Sequence, residues 1–192
     1  MAKKVITKKA RISIVKKRWY QVQAPKIFNE FVFAETLAAE SDSIVGRSIK
    51  TSISNVLRMG KKQSGELVFK IVEVKGNVCL TTLIGMEVLP PHVKRIVKRA
   101  KSRVDDSFVV LTKDNVKVRL KPMILVKSKV QHGVLTALRK GTQDYFIRVA
   151  LEMDYDELIN RILIGDLYRD VKAELKKTCP VIAVEMRAFT RL

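Results

Sequence analysis

The sequence VDDSFVVLTKDNVKVRLKPMILV at residues 104–126 predicts a β-hairpin, the stronger of the two in this chain. Two β-prone runs, 104–112 and 116–126, flank the turn residues Lys113-Asp114-Asn115. Valine or leucine at positions 116, 118 and 120 alternates with three cations, Lys117, Arg119 and Lys121. Since successive strand side chains point to opposite faces, one face packs inward and the other presents a row of cations.

Further strands are predicted on both sides of this hairpin. Residues 67–72 are β-prone and lead to Gly76-Asn77, a pair that suits a tight turn into a strand at 78–84. Shorter β-prone runs lie at 45–51 and 180–189.

The segment PPHVKRIVKRAKSR at 90–103 predicts a basic helix. Two prolines suit a helix start, and an apolar stripe runs through Val93, Ile96, Val97 and Ala100. The segment holds six basic residues and no acidic one. Such a helix can pack its stripe on a sheet and press its cations against phosphates, although a solvated amphipathic helix is the alternative.

Helical periodicity dominates the later part of the chain. Residues 131–151 predict one helix, and a second begins after Asp154, with Glu157 at the capping-box position. Gly165 ends that second helix, and a third runs from Asp166 to residue 177.

These elements predict the fold class and the organisation of the chain. Five or more strands with helices mostly at the end are typical of an α+β domain. We expect a basic N-terminal arm at 1–18 and a single domain at 19–192, since no repeat or linker divides the latter.

The charge of the chain predicts a polyanionic partner. The sequence has 38 Lys and Arg against 19 Asp and Glu, a formal net charge of +19. More than two thirds of this excess lies in residues 1–20 and 90–103, whereas residues 151–192 are nearly neutral. Nucleic acid, an anionic membrane surface and an acidic protein are the candidate partners, and nucleic acid is favoured because released counterions drive its binding.

Aromatic residues stand next to the arm. Trp19 and Tyr20 follow Lys16-Lys17-Arg18 directly. They could stack on an unpaired base, although anchoring of Trp19 in the core is the favoured interpretation.

No catalytic or metal-binding pattern is found. The sequence lacks a P-loop, an HExxH motif and a nucleophile elbow. Asp105 and Asp106 would point to opposite faces of a strand and are expected to pair with Arg103 or Lys101. The two histidines, His92 and His132, are expected at the surface or at helix ends. We therefore predict no enzyme, no cofactor, no metal and no small-molecule substrate.

The two cysteines and the N-terminus bear on the compartment. Cys79 and Cys179 have no second cysteine at short spacing, which favours free thiols in a reducing compartment. No signal peptide or membrane-spanning run is recognisable, so the default expectation is a cytoplasmic protein without a membrane partner.

Six stretches, in order, resemble one family of small-subunit ribosomal proteins from archaea and eukaryotes, called e-S-one in current naming and S-three-a-e in older naming. They are WYQVQAP at 19–25, GRSIKTSISNVL at 46–57, VKGNVCLTTLIGMEV at 74–88, KRIVKRAKSRVDD at 94–106, TKDNVKVRLKP at 112–122 and IGDLYRDVKAELKKTCPVIAVEMRAF at 164–189. Together they extend over nearly all of the chain.

The resemblance implies a fold and a role. The expected fold is a mixed, largely antiparallel β-barrel-like core of about six strands with flanking helices. The expected role is that of a structural ribosomal protein that binds small-subunit rRNA on the platform near the mRNA exit. It would lie beside neighbouring ribosomal proteins, could contact mRNA near the exit, and would support subunit assembly and translation.

The sequence departs from the family pattern at a few places. Asn115 stands where the family usually has glycine, but asparagine tolerates the same left-handed conformation. Cys179 replaces a common tyrosine, and residues 131–140 are less basic than expected. The chain ends at Leu192 without the long basic tail of eukaryotic members, which suggests an archaeal or a reduced eukaryotic protein.

The predicted RNA-binding residues come from the arm, the basic helix and the cationic strand. An edge strand also carries lysines merely to prevent aggregation, which is the alternative for the strand residues. The candidates are Lys3, Lys4, Lys8, Lys9, Arg11, Lys16, Lys17, Arg18, Trp19, Lys94, Arg95, Lys98, Arg99, Lys101, Arg103, Lys117, Arg119 and Lys121.

Two other functions compete with the ribosomal one. A free nucleic-acid-binding regulator or chromatin protein would need a recognition helix with Asn, Gln or Arg aimed at base edges. Residues 90–103 contain no Asn or Gln, which favours phosphate binding. An enzyme acting on RNA would need a clustered acid, base or metal site, and the sequence shows none.

Overall fold

Nine strands form one sheet in the described residues, 16–57 and 65–192, of the computed structural model. They are β1 (Arg18–Gln23), β2 (Val32–Ala38), β3 (Ser48–Ser52), β4 (Gly65–Lys75), β5 (Val78–Val88), β6 (Arg103–Asp105), β7 (Phe108–Leu111), β8 (Lys117–Val126) and β9 (Val181–Arg191). The helices of this part are α1 (Ile53–Leu57), α2 (Pro90–Ile96), α3 (His132–Glu152), α4 (Tyr155–Ile164) and α5 (Asp166–Leu175), with a short 3₁₀ turn at Lys26–Phe28. The predicted α+β class is confirmed.

Two long strands, β5 and β8, organise the sheet. β5 pairs with β4 along one edge, and its other edge is shared by β1, which is parallel, and β9, which is antiparallel. β8 pairs with β9 along one edge and with β7 and β6 along the other. The sheet is therefore largely antiparallel, as predicted.

The sheet differs from the expected barrel-like core of about six strands. It has nine strands, and its terminal strands β2 and β6 do not pair with each other, so the sheet is open. Three strands account for the difference. Strands β1 and β2 were not predicted, and a break at Asp106-Ser107 divides the predicted strand 104–112 into β6 and β7.

Both predicted hairpins are confirmed by the pairing of their strands. In the β4–β5 hairpin, Lys75 pairs with Val78 across Gly76-Asn77, and Gly76 has a φ of +62°. In the β7–β8 hairpin, Leu111 pairs with Lys117, and Asn115 takes the expected left-handed conformation with a φ of +58°.

Helices α3, α4 and α5 cover one face of the sheet. α3 packs on β6 and β7, and α5 packs on α3, α4 and β9. Buried side chains of this layer and of the sheet form the main core, in which Phe108 and Phe146 are neighbouring rings. A smaller core lies between β1, β2 and the start of β5, and it comprises Tyr20, Val22, Ala38, Ile44, Ile71 and Cys79.

The start of α4 is joined to the tip of the β7–β8 hairpin. The carboxylate Oδ2 of Asp114 accepts a hydrogen bond of 3.1 Å from the backbone N–H of Tyr155. Asp154 occupies the N-cap position, but its side chain makes no capping hydrogen bond, so the predicted capping box is wrong. The physical reason is that Asp114, from the hairpin, already satisfies a free N–H of the first turn.

The side chain of Tyr155 joins the helices to the sheet. Its hydroxyl donates to the carbonyl of Leu83 on β5 at 2.9 Å, and the Arg191 guanidinium lies 5.2 Å from its ring centre. Burial raises the pKa of the Tyr155 hydroxyl, which keeps this group protonated as a donor.

Helix α2 is shorter than the predicted basic helix 90–103. It ends at Ile96, and Val97 is extended with a ψ of 117°. Continuing the helix would stack Lys94 on Lys98 and Arg95 on Arg99, and such like-charge pairs destabilise a helix. No residue of α2 is fully buried, so little packing would offset this repulsion.

The three later helices lie where they were predicted. α3 begins at His132, and Gly165 separates α4 from α5 with a φ of +94°. No helix in 16–57 or 65–192 is long and apolar enough to cross a membrane.

Candidate nucleic-acid interface

A row of cations on β8 lies on the face of the sheet opposite α3–α5, which we call the outer face. Lys117, Arg119 and Lys121 are exposed, whereas the alternating residues Val118 and Leu120 are buried in the main core. This arrangement confirms the predicted alternation. In the described part of the chain, no carboxylate lies within 4.0 Å of these three cationic groups.

Arg187 on β9 extends this row, and sequence reasoning missed it. Pro122 pairs with Met186 and Lys121 pairs with Ala188, so Arg187 is the extra residue of a β-bulge. A bulge redirects a side chain, and here Arg187 and Lys121 line the same cleft. The bulge shows as a break in the alternation of β9. The buried side chains are two residues apart at 184 and 186, but the next one, 189, is three residues further on.

Arg187 also connects the row to α2. A smaller cleft of about 170 Å³ is lined by Arg187, by Lys94 and Pro90 of α2, and by Glu87 at the end of β5. The cationic strand and the basic segment, which are far apart in sequence, therefore meet at Arg187. We call Lys94, Lys117, Arg119, Lys121 and Arg187 the outer cation surface.

A histidine and a carboxylate hold α2 on the sheet. His92 Nε2 lies 3.1 Å from Glu185 Oε2 on β9, and Arg95 Nη2 lies 3.3 Å from His92 Nδ1. His92 is thus half-buried and joins two elements, rather than being a plain surface or capping residue. This contact keeps Lys94 beside Arg187.

The other predicted cations of the basic segment differ in their surroundings. Lys98 and Arg99 are exposed in the connection after α2, and Lys101 is half-buried. Arg103 lies at the start of β6, where its Nε is 2.7 Å from Asp105 Oδ2. The predicted pairing of Arg103 with Asp105 is confirmed, and it leaves Arg103 less positive toward a partner than its neighbours.

A wider cleft of about 500 Å³ lies at the end of the cation row. Its lining includes Lys121, Arg139, Arg187, Asp105, Asp106 and Ser107. Asp106 Oδ1 accepts a hydrogen bond of 2.9 Å from the Ser107 N–H and lies 4.0 Å from Arg139 Nε. Asp105 Oδ1 is enclosed and accepts no hydrogen bond from the described residues.

On the face formed by α3–α5, most arginines are paired with carboxylates. Arg148 lies 3.2 Å from Glu174, Arg161 lies 2.9 Å from Asp170, and Arg169 lies 3.4 Å from Asp166. Most of the positive charge there is balanced by neighbouring carboxylates. On the outer face, Lys117, Arg119, Lys121 and Arg187 have no carboxylate within 4.0 Å among the described residues, which gives that face a positive field.

The N-terminal residues lie partly outside the described structure. Lys16, Lys17 and Arg18 are exposed at the start of β1, whereas Lys3, Lys4, Lys8, Lys9 and Arg11 lie outside the described residues. Trp19 is 64% exposed and Tyr20 only 6%, so Tyr20 is the anchor and the favoured interpretation of Trp19 is wrong. The alternation of β1 explains this, because only one of two successive side chains can face the core.

The described residues offer little for catalysis. They contain no group of three or more His, Cys, Asp or Glu side chains that could hold a metal ion. Cys79 and Cys179 are buried free thiols, and burial raises the pKa of the Cys79 thiol, with Arg47 opposing that shift. A thiol with a raised pKa is a poor nucleophile.

Comparisons with known proteins identify the family of the chain. Residues 6–191 match the Ribosomal S3Ae family. A small ribosomal subunit protein eS1 from Methanothrix thermoacetophila is 32% identical over 187 residues, which is 97% of this chain and 88% of that protein. The proteins of the same name from Haloarcula marismortui and Nanoarchaeum equitans are 30% and 28% identical, each over 91% of this chain and 82% and 88% of their own lengths. The extent of these matches shows that the chain belongs to the Ribosomal S3Ae family.

Proposed function

We propose that this chain is a structural, non-enzymatic component of the small ribosomal subunit that binds rRNA through its outer cation surface. The observation that carries the proposal is the asymmetry of charge. Lys117, Arg119, Lys121 and Arg187 have no ion-pair partner among the described residues, whereas the arginines of α3–α5 are paired. A face of uncompensated cations favours a polyanion, and family membership makes rRNA the favoured polyanion.

The geometry of β8 suits the backbone of one RNA strand. Alternate residues of a strand are about 6.7 Å apart, and successive phosphates of one RNA strand are separated by a similar distance. Lys117, Arg119 and Lys121 can therefore contact consecutive phosphates. Such contacts position the protein without reading base sequence.

Two other basic segments would add phosphate contacts. Arg95, Lys98 and Arg99 follow Lys94 along the chain, and the arm at 1–18 would add the cations Lys3, Lys4, Lys8, Lys9 and Arg11. Exposed Trp19 is available to stack on an unpaired base beside the arm. The remainder, 19–192, would act as one domain that sets the distance between the RNA segments it contacts.

We also propose where the protein lies on the ribosome. We place it in the cytoplasm, on the platform of the small subunit near the mRNA exit, where it supports subunit assembly and translation. The nearly neutral face of α3–α5 would be directed toward neighbouring ribosomal proteins, because its carboxylates would repel phosphates.

The proposal is tested by sedimentation of the tagged full-length chain from a native extract. We expect the chain to co-migrate with small ribosomal subunits at moderate salt and to leave them only at high salt. A free pool at every salt concentration would contradict the proposal and favour a free nucleic-acid-binding regulator or chromatin protein.

Neutralising the basic segment should weaken rRNA binding. We expect the variant with Lys94, Arg95, Lys98 and Arg99 all replaced by Ala to bind small-subunit rRNA less tightly. Its plot of log affinity against log salt should be flatter by about one unit per lost phosphate contact. Filter binding over a salt series measures both effects.

A matched control uses the helical face. The variant with Lys140, Arg148, Arg169 and Lys176 replaced by Ala removes the same charge from exposed positions. We expect its salt dependence to equal that of the unmodified protein. An equal loss of slope in both variants would mean that net charge alone, and not the position of these cations, determines binding.

A further inference from the structure

The wider cleft at the end of the cation row is lined almost entirely by charged and polar side chains. It combines three cations, Lys121, Arg139 and Arg187, with two carboxylates, Asp105 and Asp106. Its volume of about 500 Å³ lies in the range of roughly 300–1,000 Å³ that is usual for small-ligand sites.

Two interruptions of regular sheet structure build the cleft. The bulge on β9 turns Arg187 to the side of Lys121, and the break between β6 and β7 places Asp106 and Ser107 beside Pro122. The backbone N–H of Asp106 still donates to the carbonyl of Pro122 at 3.2 Å, which fixes the break against β8. Bulges are frequent next to binding sites because they redirect single side chains.

The cations of the cleft divide into two groups. Arg139 faces the acidic side, since its Nε lies 4.0 Å from Asp106 Oδ1 and its Nη2 donates to the carbonyl of Asp105 at 3.4 Å. Lys121 and Arg187 have no ion-pair partner among the described residues. They are the groups available to a phosphate of the ligand. This phosphate would belong to the same RNA strand as the phosphates that Arg119 and Lys117 contact.

The acidic side of the cleft can accept hydrogen bonds from a base. Asp106 is held by the Ser107 N–H and by Arg139, so its orientation is set before a ligand arrives. A carboxylate has about four lone-pair sites, and the contacts to Asp106 leave some of them open. Because the Asp106 side chain is 20% exposed, those sites can be reached from the cleft.

The pattern of donors on the bases selects one of them. Guanine presents two adjacent donors, N1–H and the N2 amine, on its Watson–Crick edge, which matches the two oxygens of a carboxylate. In adenine, cytosine and uracil each donor on that edge is next to an acceptor, which a carboxylate repels. We propose that the cleft binds one unstacked guanosine nucleotide of the RNA, with its phosphate on Lys121 and Arg187 and its base on Asp106.

This inference rests on the proposed function, because the nucleotide would belong to the rRNA strand that follows β8. It adds a sequence-reading contact to a surface that otherwise binds only backbone. Unstacked bases read on their Watson–Crick edges are the usual basis of sequence-specific RNA recognition.

Fluorescence anisotropy with short labelled oligouridines tests the site on the full-length chain. One oligomer carries a single central guanosine, a second carries adenosine there, and a third carries inosine, which lacks the N2 amine. We expect the guanosine oligomer to bind about ten-fold more tightly than the adenosine oligomer, with inosine between them. The oligomer series needs no variant, so it remains decisive even where a substitution disturbs folding.

Variants assign the preference to the cleft. Asp106→Asn should bring the guanosine-to-adenosine affinity ratio close to one, whereas the matched variant Asp144→Asn, on the exposed face of α3, should retain it. Lys121→Gln and Arg187→Gln should weaken both oligomers equally and leave the ratio unchanged. The ratio is the quantity compared, because removing any carboxylate raises the affinity for RNA in general.

Equal binding of the guanosine and adenosine oligomers, or a preference that survives Asp106→Asn, would overturn the inference. If discrimination is absent while the chain still co-sediments with small subunits, the nucleotide site is wrong and the proposed function stands. If the chain fails to co-sediment but the ratio behaves as expected, the proposed function is wrong and the site is supported.

Discussion

Replacing Lys117, Arg119, Lys121 and Arg187 by Gln should flatten the dependence of rRNA affinity on salt by about three units on the log–log scale. These four cations have no ion-pair partner among the described residues, so their loss would remove phosphate contacts without breaking an ion pair of this part of the protein. Glutamine is shorter than lysine and arginine, but it keeps the side chain polar. Filter binding or anisotropy over a salt series measures the slope, and the free energy of unfolding should change little.

The control for this variant keeps the change of charge and moves it to the other face. Lys140, Arg148, Arg169 and Lys176, replaced by Gln, match the outer set in number and in residue types. They lie on α3 and α5 or directly after α5, on the opposite side of the sheet. If both variants lose the same slope, or if the outer set loses none, the outer face is not the principal RNA contact.

The same substitutions separate two interpretations of a cationic strand. Lysines on an edge strand prevent aggregation, and that role alone would leave rRNA affinity unchanged on their removal. β8 is not an edge strand, because β9 pairs along one of its edges and β6 and β7 along the other. Protection of an open edge therefore does not account for the row.

The local parts of this fold were predictable from the sequence. The β4–β5 and β7–β8 hairpins follow from alternation and from turn residues that lie next to the strands they join. The three C-terminal helices follow from periodicity and from Gly165, whose left-handed conformation ends α4. In each case the evidence lies within about twenty residues of the feature that it predicts.

Features that depend on distant parts of the chain were not predicted. β1 pairs in parallel with β5, from which it is separated by more than fifty residues, and its short alternation gave no independent signal. The cap of α4 comes from Asp114, forty-one residues before Tyr155. Helix α2 was predicted too long because the stripe from Val93 to Ala100 indicates a helix only where a partner surface buries it.

The residues of the candidate site also divide into those with a local sequence signal and those without one. Lys117, Arg119 and Lys121 were found because their alternation is local, and Lys94 because it belongs to a dense basic run. Arg187 was missed because its position depends on a bulge opposite Lys121. Three-dimensional pairing, and not composition, joins these groups into one surface.

Among the glycines of the described residues, Gly85 is the one where an added methyl group should destabilise the protein most. It lies on β5 opposite Thr190 of β9, and a Cβ built there would come within 2.5 Å of the carbonyl oxygen of Phe189. That oxygen is backbone and cannot rotate away, so β5 and β9 would have to separate. These two strands join the β1–β5 half of the sheet to the β6–β9 half.

We expect Gly85→Ala to lower the free energy of unfolding by about 3 kcal/mol, the upper end of the usual cost of overpacking. The free energy of unfolding of a typical domain is only about 5–15 kcal/mol, so this loss is large. Gly133→Ala is the matched control, since no atom lies within 4 Å of its Cβ and alanine favours the helix in which it lies. Urea unfolding followed by circular dichroism should show a much lower midpoint for Gly85→Ala and an unchanged or higher midpoint for Gly133→Ala.

A Gly85→Ala midpoint equal to that of the unmodified protein would mean that β5 and β9 are not packed this closely. The junction between the two halves of the sheet would then lie elsewhere.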